Sequence, residues 1–307
     1  MNGLPPPPLP LTPAQRIDAA VENALALLAQ TLQVQHTQFA NHDVVSITGW
    51  NQTPAVRRAV AEYLVGLRVM AVNSALAVRT DLVGPSGLAE VRQNVEAIIG
   101  VNGAGLTPDQ VIKSRDPWIA EGIWHLCLAV SMLVPGIHPP GAVFALSLPH
   151  ADATEHGIDI AVLHQAQNGI GLSIVETKAY RHNPAGAVTK AAKFFRGING
   201  GAYRIKIREA VQRMRSECPL ALQNQITAQL WEERRWYVPN PHYDNAHVED
   251  WAQDRPVLTN LLNAPANPAD PPLPVPQGIV IMPHVVTGFD AYFDDVTADM
   301  MAFVNTL

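Results

Sequence analysis

Two segments place charged residues inside apolar runs: Gly157-Ile-Asp159-Ile-Ala-Val-Leu-His164 and Leu172-Ser-Ile-Val-Glu176-Thr-Lys178-Ala-Tyr180. Both are rich in branched residues, as strands are, and the Asn168-Gly169 pair between them signals a hairpin. Side chains alternate along a strand, so Glu176 and Lys178 share one face, with Val175 and Thr177 on the other. A two-residue turn at Asn168-Gly169 sets Gln167 opposite Ile170 and Asp159 opposite Lys178, with Glu176 on the diagonal. Two carboxylates and an ammonium are thereby expected in one cluster. Close carboxylates repel each other and invite a divalent cation, and hard oxygen ligands suit Mg²⁺, with Mn²⁺ as a substitute. A lysine two residues from such a carboxylate can orient or deprotonate a water, or stabilise charge on a phosphoryl group. Phosphodiester hydrolysis uses all of these functions. The plain alternative is a cross-strand salt bridge on a surface hairpin.

Just upstream, His150-Ala-Asp152-Ala-Thr-Glu155-His156 has the residue types of a zinc hydrolase, with His150, Asp152 and His156 as ligands. Its place in a loop leading into the Asp159 strand favours a supporting role or simple exposure instead. Glu155 in that loop is a further acidic candidate ligand for the Mg²⁺ site.

A substrate polyanion needs basic residues near that cluster. From Lys178 to Arg215 there are ten basic residues and one acidic, Glu209, although the whole chain carries a formal charge of −6. Positive charge therefore begins at the candidate lysine and continues through Arg181, Lys190, Lys193 and Arg196, where it can hold a phosphate backbone. The rest of the chain has 11 basic and 26 acidic residues, which suggests that a partner supplies part of the nucleic-acid affinity.

The elements that must position these residues follow from periodicity and caps. Residues 1–11 are a proline-rich tail, and Thr12-Pro13-Ala14-Gln15 has the spacing of a capping box at the head of a first helix. Helices are expected from about 54 to 76 and 86 to 99, with a short strand at 43–50, so residues 12–106 read as a helical N-terminal region. A short helix near 108–113 precedes an apolar helix from Asp116 to about Leu133. Strands are expected at 143–148, 158–164 and 170–178, helices at 187–198 and 203–217, and a late strand at 278–282 before a final helix. The proline-studded stretch 239–276 reads as a surface excursion.

At 307 residues and 48% hydrophobic, with 16% charged, the chain has ample length for a core and little sign of global disorder. Its two cysteines make no disulfide framework or cysteine-based zinc site, and the apolar stretch 122–137 is interrupted by His125, Ser131 and Pro135. Neither a membrane span nor a secretory signal is expected, and a cytoplasmic setting is.

With Asp159, the Glu176-Thr177-Lys178 triplet and the strand–strand–helix order around them, the chain resembles the PD-(D/E)xK, or restriction-endonuclease-like, nucleases over residues 116–200. The resemblance implies an α/β core of one helix, three antiparallel strands, a helix and a further strand, within a domain spanning 107–307. It implies Mg²⁺ on Asp159 and Glu176, the Thr177 carbonyl as a further ligand, and Lys178 near the attacking water. Many members add a glutamate from the first core helix, and Glu121 matches that position. Asp159 follows isoleucine here rather than proline, and the late strand comes about a hundred residues after Lys178. The Glu-x-Lys-x-Tyr order through Tyr180, together with the helical N-terminal region, is similar to the nuclease subunits of Hachiman-type antiphage systems. That similarity implies DNA as substrate and a helicase or other defence protein as partner. A catalytically silent nucleic-acid-binding subunit is the rival from another class.

Other residues have quieter expected roles. Trp231, Trp236, Tyr237, Tyr243 and Trp251 suit core packing, with a base-stacking surface as the alternative. Gly197, Gly200 and Gly201 read as a turn, and Ile123, Leu126, Cys127 and Val130 as core. Ser173 falls on the face away from the carboxylates, so serine-based catalysis has no support.

Overall fold

Thr12 caps the first helix as its spacing requires, its hydroxyl accepting from the Gln15 N–H while the Gln15 side chain accepts from the Thr12 N–H. The computed structural model describes residues 11–50, 53–77, 87–150, 157–167, 169–227, 229–263 and 273–307. In chain order its longer elements are α1 (Pro13–Thr31), β1 (Gln33–Gln38), β2 (Asp43–Thr48), α2 (Pro54–Ala77), α3 (Leu88–Ile99) and α4 (Asp116–Val130). They continue with β3 (Val143–Leu146), β4 (Ile160–Ala166), β5 (Gly169–Ala179), α5 (Pro184–Asn199), α6 (Arg204–Arg215) and β6 (Arg235–Asp244). The last are β7 (Gly278–Ile281), β8 (His284–Val286) and α7 (Phe289–Thr306).

Among the described residues the strands form one mixed sheet in the order β1-β2-β7-β6-β5-β4-β3, with β8 also paired to β6. Alternation along the strands divides the core in two. Ile160, Val162, Val175 and Val238 face a core built with α1, α2, α3, α4 and α7, whereas Ala161, Leu163, Leu172 and Ile174 face one built with α5 and α6. The chain is thus a mixed α/β protein with helices on both faces of its sheet. No helix among the described residues is long and apolar enough to cross a membrane.

Three departures from the sequence reading concern the frame around the site. First, the N-terminal region is not purely helical: β1 and β2 make an antiparallel hairpin, and β2 enters the main sheet by parallel pairing of Asp43 with Val280. Second, the helix at 108 and the helix at 116 are joined by a π-helical segment, Val111–Arg115. Pro117 lacks an N–H and crowds the carbonyl four residues back, and a widened turn relieves both problems. Third, the expected surface excursion at 239–276 begins with a core strand. Leu172 N–H donates to Arg234 O and Tyr180 N–H to His242 O, so even-numbered carbonyls of this run point to β5. Pro239 and Pro241 therefore point the other way, toward the place where β7 gives way to β8. Their missing N–H groups cost the β5–β6 ladder nothing.

Tight contacts then fix the site helix. A Cβ on Gly122 would lie 2.1 Å from Leu64 Cδ2, so glycine there lets α4 press on α2, next to Glu121. Farther along the same core, β6 and β8 bring His242 and His284 together, Nδ1 to Nδ1 at 3.0 Å, against the rings of Trp50, Trp124 and Tyr292. Each imidazole Nε2, both indole N–H groups and the Tyr292 hydroxyl are buried without a hydrogen-bond partner among the described residues.

Candidate active site

The hairpin that carries the charged residues pairs Ala166 with Gly169 and Ile160 with Val175. This register is two residues away from the one expected for an Asn168-Gly169 turn. A shift of two leaves every side chain on the face assigned to it, because the pleat repeats every two residues. Asp159 sits one residue before the first paired position of β4, and its Oδ2 accepts the Thr177 N–H at 2.7 Å. Lys178 Nζ lies 2.6 Å from Glu176 Oε1 and 3.9 Å from Asp159 Oδ2, and donates to the Thr177 carbonyl at 2.9 Å. Glu121 completes the cluster from α4 as a hydrogen-bond partner of Asp159. Asp159, Glu176 and Lys178, singled out by spacing, and Glu121, added by the family resemblance, are therefore together.

Their electrostatics are those of crowded acids in a dry place. Asp159 is 8% exposed and Glu176 5%. Burial, then the charge of Asp159, hold the Glu121 carboxyl well above the usual range against the pull of Lys178, with Glu176 and the hydrogen bond to Asp159 raising it further. Burial also raises Asp159, opposed by Lys178 and by the Thr177 N–H. Glu176 is pushed up to about 8 by burial and by Asp159. Burial pulls Lys178 down, but Asp159 and Glu176 outweigh it and keep the ammonium above its ordinary range.

Among the described residues no group of three or more His, Cys, Asp or Glu side chains is gathered closely enough to hold a metal by itself. The oxygens nonetheless suit a hard cation. Asp159 Oδ2, Glu176 Oε1 and the Thr177 carbonyl already converge on one positive charge, that of Lys178, and Glu176 Oε2 is buried with no partner. Two carboxylates and a carbonyl are the donor set Mg²⁺ takes, with waters completing its shell.

The basic residues are distributed around this centre. Lys190, Lys193 and Arg196 are exposed on α5, and Arg181 is exposed in an ion pair with Asp290 of α7. A further basic side chain, Lys206 of α6, lies beside Gly157, two residues before Asp159. A Cβ on Gly157 would lie 2.6 Å from His150 Cε1 and 3.5 Å from Lys206 Nζ, so His150 and the first turns of α6 border the entry to Asp159. His150 also lowers Asp159 electrostatically. Its usefulness was hidden because only the fold brings α6 to that loop. Asp152, Glu155 and His156 lie outside the described residues, as does Asn168.

Ser173 shows a feature that the sequence did not suggest: it lies 2.9 Å from His138 Nε2, while His138 Nδ1 meets the Gly141 carbonyl at 2.8 Å. Ser173 is completely buried, so the pair serves packing. Trp231 and Tyr237 are core residues as well. Compared with known proteins, the chain matches no family model, and no curated protein shows significant similarity to it.

Proposed function

We propose that the chain is a metal-dependent deoxyribonuclease of the PD-(D/E)xK type, with Asp159, Glu176, the Thr177 carbonyl, Lys178 and Glu121 as its catalytic centre. The observation that carries this reading is the convergence of two buried carboxylate oxygens and one backbone carbonyl on a single cationic point, beside a third acid. The element order supports it: α4, then β3, β4 and β5 antiparallel, then α5 and α6, then β6 parallel to β5. In this order the strand after the second helix is β6, not the later 278–282 strand.

Mg²⁺ held by Asp159, Glu176 and the Thr177 carbonyl would supply Lewis acidity toward the phosphoryl oxygens. Lys178 is held as an ammonium, so its part is to orient the attacking water and balance charge building on the phosphoryl group, not to accept a proton. The water oxygen bonds to phosphorus and gives up its proton to bulk water, one bridging P–O bond breaks, and the departing sugar oxygen takes a proton from bulk water. Glu121 keeps Asp159 in place through their shared hydrogen bond. Lys206, Lys190, Lys193 and Arg196 offer phosphate contacts that track the backbone. We extend the reading to an effector of bacterial antiphage defence working with a helicase or other defence protein, supported by the motif order through Tyr180 and the +9 stretch that starts at Lys178.

A silent nucleic-acid-binding subunit is the second reading, favoured by the way Lys178 already occupies the centre of the acids. The deciding assay incubates supercoiled, linear and single-stranded DNA with Mg²⁺, Mn²⁺ or EDTA. Cutting that needs metal and falls at least ~10²-fold in both Glu176→Ala and Lys178→Ala is expected. Equal cutting by those variants overturns the assignment of the site, and retained DNA binding with no cutting by any form replaces it with the silent reading.

A further inference from the structure

A second concavity opens beside the carboxylates without including them. It has a volume of about 400 Å³, within the range of small-molecule sites, and its walls include Ser46, Thr48, Trp50, Tyr243, Asn245 and Trp251. These residues come from the carboxyl ends of β2 and β6 and the loop after β6. That edge is where ligands gather in sheets with parallel strands, and β2, β7, β6 and β5 run parallel here.

The pocket is close to the chemistry. Lys178 pairs with Pro241, so Tyr243 lies one strand across and two residues further along, on the face shared by Glu176 and Lys178. Strand rise and spacing make that roughly 8 Å at the backbone, little more than one nucleotide step. The intervening chain is tied to the pocket wall: Tyr180 N–H donates to His242 O at 2.9 Å, Asp244 N–H donates to Arg181 O at 3.0 Å, and His182 Nδ1 meets His247 Nε2 at 2.9 Å. The Arg181 backbone therefore leads from the carboxylate strand to the pocket wall, with its exposed guanidinium paired to Asp290.

The lining chemistry selects the ligand. Trp251 is held by a hydrogen bond from its Nε1 to Tyr243 Oη at 3.3 Å, and the Arg255 guanidinium covers its ring 4.8 Å from the centroid. Arg255 is itself paired with Glu249, so charge in this wall is already balanced and a phosphate finds no unmatched cation. What is offered is the partly exposed Trp251 ring with polar edges, backed by Trp50 and Tyr243, which are 2% and 3% exposed. Asn245 uses its Nδ2 on Thr287 Oγ1 at 3.0 Å and keeps its Oδ1 as an acceptor, and the Ser46 and Thr48 hydroxyls are nearby. That combination suits a neutral planar heterocycle with hydrogen-bonding edges, and not an anion or an aliphatic chain.

We propose that this pocket receives one nucleobase of the bound DNA strand, turned out of its stack next to the scissile phosphate. The proposal rests on the nuclease reading of the neighbouring site and adds to it a grip on single-stranded or locally opened DNA. Base extrusion is cheapest in a strand that is already single or frayed, so such DNA is the favoured substrate form. Phosphates on either side of the base fall to the carboxylate centre and to Arg181, whose exposed pair with Asp290 opens more cheaply than the more buried Arg255–Glu249 pair.

The test reads binding without turnover. Single-stranded oligonucleotides carrying one 2-aminopurine, and the same strands with an abasic site, are titrated into the full chain in EDTA, where no cutting occurs. Aminopurine quenching and weaker binding of the abasic strand are expected. Trp251→Leu should lower affinity at least tenfold and remove the quenching, and Thr48→Trp, which fills the pocket from an exposed position, should do the same with an unchanged melting temperature. Unchanged affinity and quenching in Thr48→Trp overturns the proposal even if Trp251→Leu fails to fold. A protein that quenches in this way but never cuts with metal keeps the pocket and loses the nuclease reading. One that cuts normally while Thr48→Trp changes nothing keeps the nuclease and loses the pocket.

Discussion

The carboxylate cluster around Lys178 and the histidine cluster around His284 lie on neighbouring strands of one sheet, and both bury polar atoms. They do so in opposite ways. The acids keep a charge, gather an ammonium among them, and share protons to limit repulsion. The histidines give up charge altogether: one Nδ1–H serves the other Nδ1, and burial beside Trp124 and Tyr292 leaves both rings neutral. A cluster that retains charge is poised to exchange its cation or proton with a ligand, whereas a neutral one contributes only packing. The contrast separates buried groups that keep a charge from buried groups that give it up.

Acid is the strongest way to break that comparison. Burial pulls His125 and His138 down to about 4, His164 and His284 to about 3, and His242 well below its usual value. Below pH 6.5 the unfolded chain takes up protons that the folded one refuses, so stability falls as pH falls toward 4. Each such histidine costs roughly 1.4 kcal/mol per pH unit. Against a total of ~5–15 kcal/mol, several together predict cooperative acid unfolding between pH 6 and 4, seen by circular dichroism. His242→Phe should make that slope shallower.

The carboxylates act in the other direction. Glu176, raised to about 8, keeps a proton in the folded state that the unfolded chain loses near its ordinary value of 4.5, so this group erodes stability as pH rises from 4.5 to 8. Glu176→Gln is therefore expected to stabilise the protein by about 1–3 kcal/mol at pH 9 in EDTA, measured by urea unfolding. Added Mg²⁺ should close the gap by stabilising only the wild type. A destabilised Gln variant would show that the acid is structural.

The smallest effect is at the surface. Arg181 and Asp290 are both largely exposed, so Arg181→Ala should change stability by less than ~1 kcal/mol while weakening single-stranded DNA binding several-fold at low salt. Equal binding in wild type and variant at 50 mM salt would remove Arg181 from the phosphate path.

The site was legible because its evidence is local: parity along two strands survives an error of two residues in register, and Glu121 needed only its place on the helix ahead of the strands. What the residues could not disclose was long-range. Pro239 and Pro241 read as loop because a proline spoils a ladder on one side only, and which side depends on neighbours brought in from elsewhere. The β1 run Gln33-Val-Gln-His-Thr-Gln38 is mostly exposed and polar, with no alternation of burial to mark it as a strand. Lys206 could be counted as basic but not placed, since its position beside Gly157 comes from the packing of α6.

The parallel pairing of β2 with β7 also has a consequence for synthesis. Asp43 leaves the ribosome roughly 240 residues before Val280, its partner, and Arg57 of α2 waits longer still for Asp295 and Asp299. The hairpin made first is thus seated last. A nascent chain that already carries Glu121, Asp159, Glu176 and Lys178 still lacks the strand that joins this hairpin to the sheet, so the sheet is completed only once residue 280 has been made.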